Sequence, residues 1–409
     1  MGGNFTVVPS PANLAATRLR VAVDAPQHSG LSAPLDYAAE HALAPGTLVS
    51  VPLGRREVPG VVWHGASDPN PALELRPVTA ALMSLPPLGA AWRELVDFAA
   101  GYYQRSTGEI ALSVLPPELR KLGDAQLANR IKKLHKALAD APDAMGAVSA
   151  TIAPTLTDAQ AQVLAQVAAA GTADVPPPVL LHGITGSGKT EVYLGAAAQA
   201  LAAGKQALVL VPEINLTPQL EARFAERFAG RHIVSLHSAL TPAQRLRSWL
   251  AAHLGLADLV LGTRLAVFAS MPRLGLIVVD EEHDPSYKQQ EGARYSARDL
   301  AVYRGRLEKA TVVLGSATPS LESWQRAAEG KYLKLALPAR IGGGALPKVR
   351  LVDMNQQPKL HGVNTALSAP LVAALQDRLA RGEQSLVFLN RRGYAPVLHC
   401  GECGWKSGC

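Results

Sequence analysis

The chain has 409 residues, 48% hydrophobic and 18% charged, with 40 Lys and Arg against 33 Asp and Glu and a net charge of +7. That length is too great for one core and calls for roughly two to four domains, while the positive excess suits a polyanionic partner without establishing one. No run approaches the ~18 consecutive apolar residues of a membrane span, and Met-Gly-Gly-Asn-Phe-Thr opens no secretory signal, so the expectation is a cytoplasmic protein without a membrane partner.

Residues 17–115 read as a small β-rich unit, with strand-like runs at Leu19 to Val23, Thr47 to Val51 and Val58 to His64 broken by Pro and Gly. A helix follows near 89–104, with Leu95, Phe98, Ala99 and Tyr102 on one face. From about 124 to 140, Leu127, Ile131, Leu134 and Leu138 recur at helical spacing, and Arg130, Lys132, Lys133 and Lys136 fill the other positions. That basic face is open to two readings, a solvated helix packed on a neighbour or a helix turned toward DNA. The Ala-, Pro- and Ser-rich stretch 141–155 reads as a linker.

From 156 apolar strands alternate with helices. Strands are expected near 178–182, 206–211, 232–237, 258–262, 275–280, 311–315 and 385–389, with helix starts marked by Thr241-Pro242 and Thr318-Pro319. This is the pattern of a doubly wound parallel sheet, which binds ligands at the C-terminal ends of its strands. Residues 338–348, rich in Pro and Gly, mark a further boundary, beyond which 349–353, 368–382 and 385–389 begin another lobe.

The chemistry sits at two strand ends. Gly183-Ile184-Thr185-Gly186-Ser187-Gly188-Lys189-Thr190 follows the run Val179-Leu180-Leu181 and is a phosphate loop. Its glycines let backbone N–H groups close on phosphates, Lys189 supplies a point charge, and the Thr190 hydroxyl reaches Mg²⁺. Leu276 to Val279 ends in Asp280-Glu281-Glu282-His283, where Asp280 completes the Mg²⁺ shell and Glu281 orients or deprotonates water. The pair implies a motor-type nucleoside triphosphatase. Gly315-Ser316-Ala317-Thr318, at a third strand end, is expected to couple to Glu282 and His283 through the Ser316 and Thr318 hydroxyls.

Between these lies an aromatic and basic loop with Tyr287, Lys288, Arg294, Tyr295 and Arg298, in which the tyrosines are expected to stack on unpaired bases and the cations to meet phosphates. Thr263 and Arg264, after Gly262, are candidate backbone-phosphate contacts. Gln160 either reads an adenine edge or simply starts a helix. All three cysteines close the chain as Cys400-x-x-Cys403 and Cys409, a spacing that favours Zn²⁺ over a structural disulfide.

Together these residues resemble the bacterial primosomal replication-restart helicases, the PriA or primosomal protein N′ family. The likeness rests on Gly183 to Thr190 with Glu191-Val192-Tyr193, on Val211 to Pro218, and on Leu236-His237-Ser238. It continues through Asp280 to Gln290, Arg298-Asp299-Leu300, Leu389 to Pro396, and the cysteines. The resemblance implies an ATP-dependent superfamily 2 DNA helicase moving 3′ to 5′, with ATP, Mg²⁺ and Zn²⁺ as cofactors and a nucleoid-associated location. Its implied partners are single-stranded DNA, forked DNA with a 3′ end, primosome proteins and the single-stranded-DNA-binding protein. Pro34-Leu35-Asp36-Tyr37, Pro45-Gly46 and Arg76 match the family's 3′-end pocket, and this carries Asp36, Gly46 and Arg76 over as DNA contacts.

The expected division is therefore a 3′-end-binding domain at 1–117, a reduced winged-helix or linker segment at 118–155, and a RecA-like lobe at 156–340. The start of a second lobe at 341–398 and a partial zinc module at 399–409 follow. The family carries eight zinc-binding cysteines and further arginine motifs, and this chain stops at its third cysteine, so weak hydrolysis and loose zinc are expected of it alone. A fork-binding scaffold that does not need hydrolysis, and a different motor such as a restriction or repair translocase, are the alternatives.

Overall fold

The structure is a computed structural model that describes residues 17–25, 33–64, 75–139, 155–342 apart from 214 and 217, 348–357, and 367–388. Its first sheet is antiparallel and holds β1 (Thr17–Val23), β2 (Leu35–Ala39), β3 (Leu48–Leu53), β4 (Arg56–His64) and β5 (Ala80–Ala81) in the order β2-β1-β4-β3-β5. Alternation splits its apolar residues between two cores. Leu19, Val21, Tyr37, Val51 and Val62 line one face, and Ala22, Leu48, Val61 and Trp63 point at the helices that follow. Those helices are α1 (Ala90–Tyr102), α2 (Thr107–Ser113) and α3 (Asp124–Ala139).

The second sheet is wholly parallel. It contains β6 (Val179–Gly183), β7 (Gln206–Leu210), β8 (Ile233–Leu236), β9 (Leu259–Gly262), β10 (Leu274–Asp280), β11 (Thr311–Ser316) and β12 (Leu333–Leu337), ordered β12-β6-β11-β10-β7-β9-β8. Its interleaving helices are α4 (Asp158–Ala170), α5 (Lys189–Ala202), α6 (Pro218–Arg227), α7 (Pro242–His253), α8 (Ala297–Glu308) and α9 (Leu321–Ala328). The central strands are continuous apolar runs, with Ile277, Val278 and Val279 fully buried, because helices cover both faces. The expected α/β class, a β-rich sheet followed by a parallel helicase-type sheet, is the observed one.

One core runs through α1 to α3 and into the parallel-sheet layer. The Trp92 indole N–H donates to the Phe268 carbonyl at 2.8 Å, and Phe98 stacks on Tyr303 with ring centroids 3.7 Å apart. His253 bridges the same boundary: its Nε2 is 2.8 Å from the Pro86 carbonyl and its Nδ1 is 2.9 Å from the Ser270 hydroxyl. The chain divides into two compact units, Met1–Gly343 and Gly344–Cys409. In the second, α10 (Ala369–Ala380) starts at Ser368, whose hydroxyl accepts from the Leu371 N–H. The strand expected at 385–389 does not form over its described part: residues 383–388 carry no regular element, because an apolar run becomes a strand only when a neighbour takes up its backbone groups. Residues 389–396 and the cysteines lie outside the described residues.

Candidate nucleotide site and its neighbouring loop

β6 delivers the chain into the phosphate loop, and α5 begins at Lys189. Gly186 and Gly188 both take φ +81°, which favours glycine, and at Gly188 space demands it too, since a Cβ there would stand 2.2 Å from the Gln160 amide nitrogen. Lys189 is buried. Its Nζ donates to the Gly183 carbonyl at 3.0 Å and lies 3.7 Å from Glu281 Oε1. Thr190 follows in the first turn of α5, and the buried Ser187 hydroxyl has no hydrogen-bond partner.

Gln160 braces the phosphate loop. It completes a capping box with Thr157, and its Nε2 donates to the carbonyls of Ser187 and Gly188 at 3.3 Å each. With 2% of its surface exposed, no amide edge is free for a base. Its reading as a helix-start residue is met, and the side chain extends into a brace under the loop.

Asp280 ends β10 beside this loop. Its Oδ1 accepts from the Tyr193 hydroxyl at 3.0 Å and from the Glu281 N–H at 3.0 Å. Burial, then the neighbouring Glu281 charge, pushes the Asp280 carboxyl above its usual range. Burial, then the Asp280 charge, pushes the Tyr193 phenol well above its usual value. Tyr193 was not among the expected site residues. In the sequence it stood only in the Glu191-Val192-Tyr193 run of the family likeness, one turn after Lys189 on the loop helix, and it is matched by Gly315, where a Cβ would come within 1.6 Å of the Tyr193 oxygen.

Glu281 sits at φ +45°, a left-handed backbone that a non-glycine residue rarely takes and that tends to collect at functional sites. Its carboxylate lies between Lys189 and His283, whose Nδ1 is 3.6 Å away. His283 Nδ1 is 2.7 Å from the Ser316 hydroxyl and its Nε2 is 3.4 Å from the Thr318 hydroxyl. Glu282, 1% exposed, accepts from the Ser320 N–H at 2.7 Å, the Ser320 hydroxyl at 3.0 Å and the Ser323 hydroxyl at 2.9 Å. The contacts thus form two clusters, His283 with Ser316 and Thr318, and Glu282 with Ser320, Ser323 and Arg298, of which Ser320 and Ser323 were missed by the sequence reading.

The loop after His283 is built differently from the expectation. Tyr287 and Tyr295 are 2% and 6% exposed, so neither offers a face to a base. The Tyr287 hydroxyl is 3.0 Å from the Leu210 carbonyl and 2.6 Å from the Asp280 carbonyl, which makes it a strut under the acidic motif. Tyr295 packs edge-on against Phe268, and burial raises its phenol to about 12. Arg298 is likewise turned inward, 2.7 Å from the Ser320 hydroxyl and 3.4 Å from Glu282 Oε2. Arg264 Nη1 clamps the loop through the Ser286 and Lys288 carbonyls at 2.7 and 3.4 Å, and Thr263 is buried. Lys288 and Arg294 remain exposed.

In the N-terminal sheet Asp36 pairs with Arg18 at 2.6 Å, while its second oxygen is buried and has no hydrogen-bond partner among the described residues. Gly46, at φ +96°, is buried against Leu88, whose carbonyl a Cβ would meet at 2.1 Å, so this glycine serves the packing of the chain. Arg76 donates to the Gly54 carbonyl at 2.6 Å. Cys400, Cys403 and Cys409 lie outside the described residues, and among the described residues no cluster of His, Cys, Asp and Glu could hold a metal.

Two family descriptions match in tandem: a 3′ DNA-binding domain of PriA at residues 20–116 and a DEAD/DEAH box helicase at 157–327. The replication restart protein PriA of Rickettsia felis is 36% identical over 381 residues, covering 92% of this chain and 54% of its own. The chain belongs to the PriA family. The Bacillus subtilis PriA is 43% identical over 254 residues (62% of this chain, 31% of that one), and the Haemophilus influenzae PriA is 49% identical over 230 residues (56% and 31%). The chain thus spans between about a third and a half of the relatives it matches. Its DEAD/DEAH box helicase domain implies use of ATP and Mg²⁺, and among the described residues no helix is long and apolar enough to cross a membrane.

Proposed function

We propose that this chain supplies the 3′-end-binding domain and first motor lobe of an ATP-dependent DNA helicase that moves 3′ to 5′ and acts in replication restart. The observation that carries this reading is the continuous network from Lys189 through Glu281 and His283 to Ser316 and Thr318. The γ-phosphate of ATP would meet the backbone N–H groups of the loop and the Lys189 ammonium, and Glu281 beside that ammonium would orient the attacking water. A buried carboxyl with a raised pKa beside a second acid is a fitting seat for a divalent cation. Asp280 and Thr190 would hold Mg²⁺, which neutralises phosphate charge when bound.

Tyr287 ties the outer loop to the last carbonyl of β10, so a strand that displaces Lys288 and Arg294 would pull on the acidic motif directly. Among the described residues Lys189 is the only Lys or Arg paired with Glu281. In the N-terminal sheet, the partly exposed Asp36 carboxylate would accept from the hydroxyl of a DNA 3′ end. Forked DNA with such an end, primosome proteins and single-stranded-DNA-binding protein are the partners this reading assigns, with Zn²⁺ at the cysteines.

The test measures ATP hydrolysis and fork binding together. Lys189→Ala should abolish DNA-stimulated hydrolysis and leave fork binding intact. Asp36→Ala should weaken binding to forks with a 3′-hydroxyl and leave binding to forks with a 3′-phosphate unchanged. Hydrolysis that ignores DNA, together with fork binding that ignores the 3′ end, would overturn the proposal.

A further inference from the structure

Two neighbouring helices carry an excess of positive charge. α3 holds Arg130, Lys132, Lys133 and Lys136 against one acid, Asp124, whose carboxylate is already bonded to the Ser84 N–H and hydroxyl at 2.7 and 2.9 Å. α7 holds Arg245 and Arg247 and no acid. Arg245 is spent on the Ser238 and Leu240 carbonyls, but the other five are exposed. Together the two helices carry six Lys and Arg against one Asp, in a chain whose net charge is +7.

The helices meet along a groove of about 320 Å³ whose floor is Leu134, Leu246 and Leu250 and whose rim is Arg130, Lys133 and Arg247. Leu127 and Leu134 seat α3 in the core, which fixes the basic face outward. Among the described residues none of the three rim cations is in an ion pair. The groove also lacks the aromatic faces that a single strand stacks on. α3 has no aromatic ring besides the exposed His135, and the single ring of α7 outside His253 belongs to Trp249, which is 3% exposed and stacked on His253. Cations without stacking partners read backbone charge.

We propose that the α3–α7 groove binds the sugar–phosphate backbone of a duplex arm of DNA, apart from the 3′-end pocket and the motor loop. The inference rests on the proposed function in taking DNA as the partner. Each phosphate contact contributes a slope of about 0.9 in log affinity against log salt. Removing three should make affinity for a fork with a long duplex arm about 40-fold less sensitive to a rise from 50 to 200 mM salt.

The measurement is a salt series by fluorescence anisotropy with the whole chain. It compares wild type, the triple variant R130A/K133A/R247A, and a control, K309A/K331A, that removes two cations held by acids elsewhere. The triple variant should lose salt dependence on the duplex-armed fork, match wild type on a short single strand, and melt at the wild-type temperature. An unchanged slope on the fork, or an equal loss on the single strand, overturns the groove assignment. Absence of fork binding in the wild type would instead remove the function on which it rests.

Discussion

Gly315→Ala tests the site where two motifs meet. The new Cβ would stand 1.6 Å from the Tyr193 oxygen and 2.6 Å from the adjacent ring carbon. Tyr193 has no room to yield, because its ring is 2% exposed and its hydroxyl is tied to Asp280 at 3.0 Å. Overpacking at a close-packed position costs about 1–3 kcal/mol, and an overlap this deep belongs near the upper figure. The hydrogen bond from a buried hydroxyl to a carboxylate contributes a further ~1.5 kcal/mol that the displaced ring would lose. The sum, about 4 kcal/mol, corresponds to a fall in Tm of roughly 8–16 °C for a domain of this size. Tyr193→Phe alone, which keeps the ring and loses only the hydroxyl, should cost about 1–2 kcal/mol, since the Glu281 N–H still satisfies Asp280 Oδ1. Thermal unfolding of both variants, and of Gly315→Ala in a Tyr193→Ala background, closes the cycle. Once the ring is gone, the added methyl should cost under about 1 kcal/mol. If Gly315→Ala destabilises equally in both backgrounds, the Tyr193 contact is not what demands glycine.

Three further expectations follow from the same geometry. Glu281→Gln should leave nucleotide affinity within a few-fold of wild type while DNA-stimulated hydrolysis drops on the order of 10²–10⁴-fold, read by steady-state kinetics against fluorescent-nucleotide titration. Glu282→Ala strips the acceptor from Ser320, Ser323 and Arg298 in a buried pocket, and a loss of about 3–5 kcal/mol in denaturant unfolding is expected. A near-neutral result there would mean the serines re-pair among themselves. His253 is the pH reporter: burial lowers its pKa below the usual 6.5, against a smaller opposing pull from the Pro86 carbonyl. A depressed histidine binds its proton more readily in the unfolded chain. Stability should therefore be full above about pH 6.5 and fall as pH drops toward the lowered folded value. Melting curves of His253→Gln should lose part of that slope, whereas an undiminished slope would assign it to other groups.

The parts of this site that could be read early are those written in contiguous residues. Gly183 to Thr190 and Asp280 to His283 announce themselves because a phosphate loop and an acidic strand end work through backbone conformation and near neighbours. The strands that carry them are apolar runs buried on both faces, so their positions were legible too. β12, by contrast, is the edge of its sheet and alternates buried with exposed residues, which hid it among polar neighbours. The run at 385–389 looked like a strand for the opposite reason, since hydrophobicity alone does not supply a partner.

The amino-acid sequence by itself thus determined the family, the two layers and the order of the motifs, because each depends on local pattern. Only the tertiary structure decided which polar and aromatic groups face inward. Tyr193 reaches an acid 87 positions away, Tyr287 reaches a carbonyl 77 positions away, and Gln160 braces a loop 27 and 28 positions on. A tyrosine or an arginine has the same composition signature whether it meets a base or holds up a strand. What separates the two is burial, and burial is fixed only when distant segments pack.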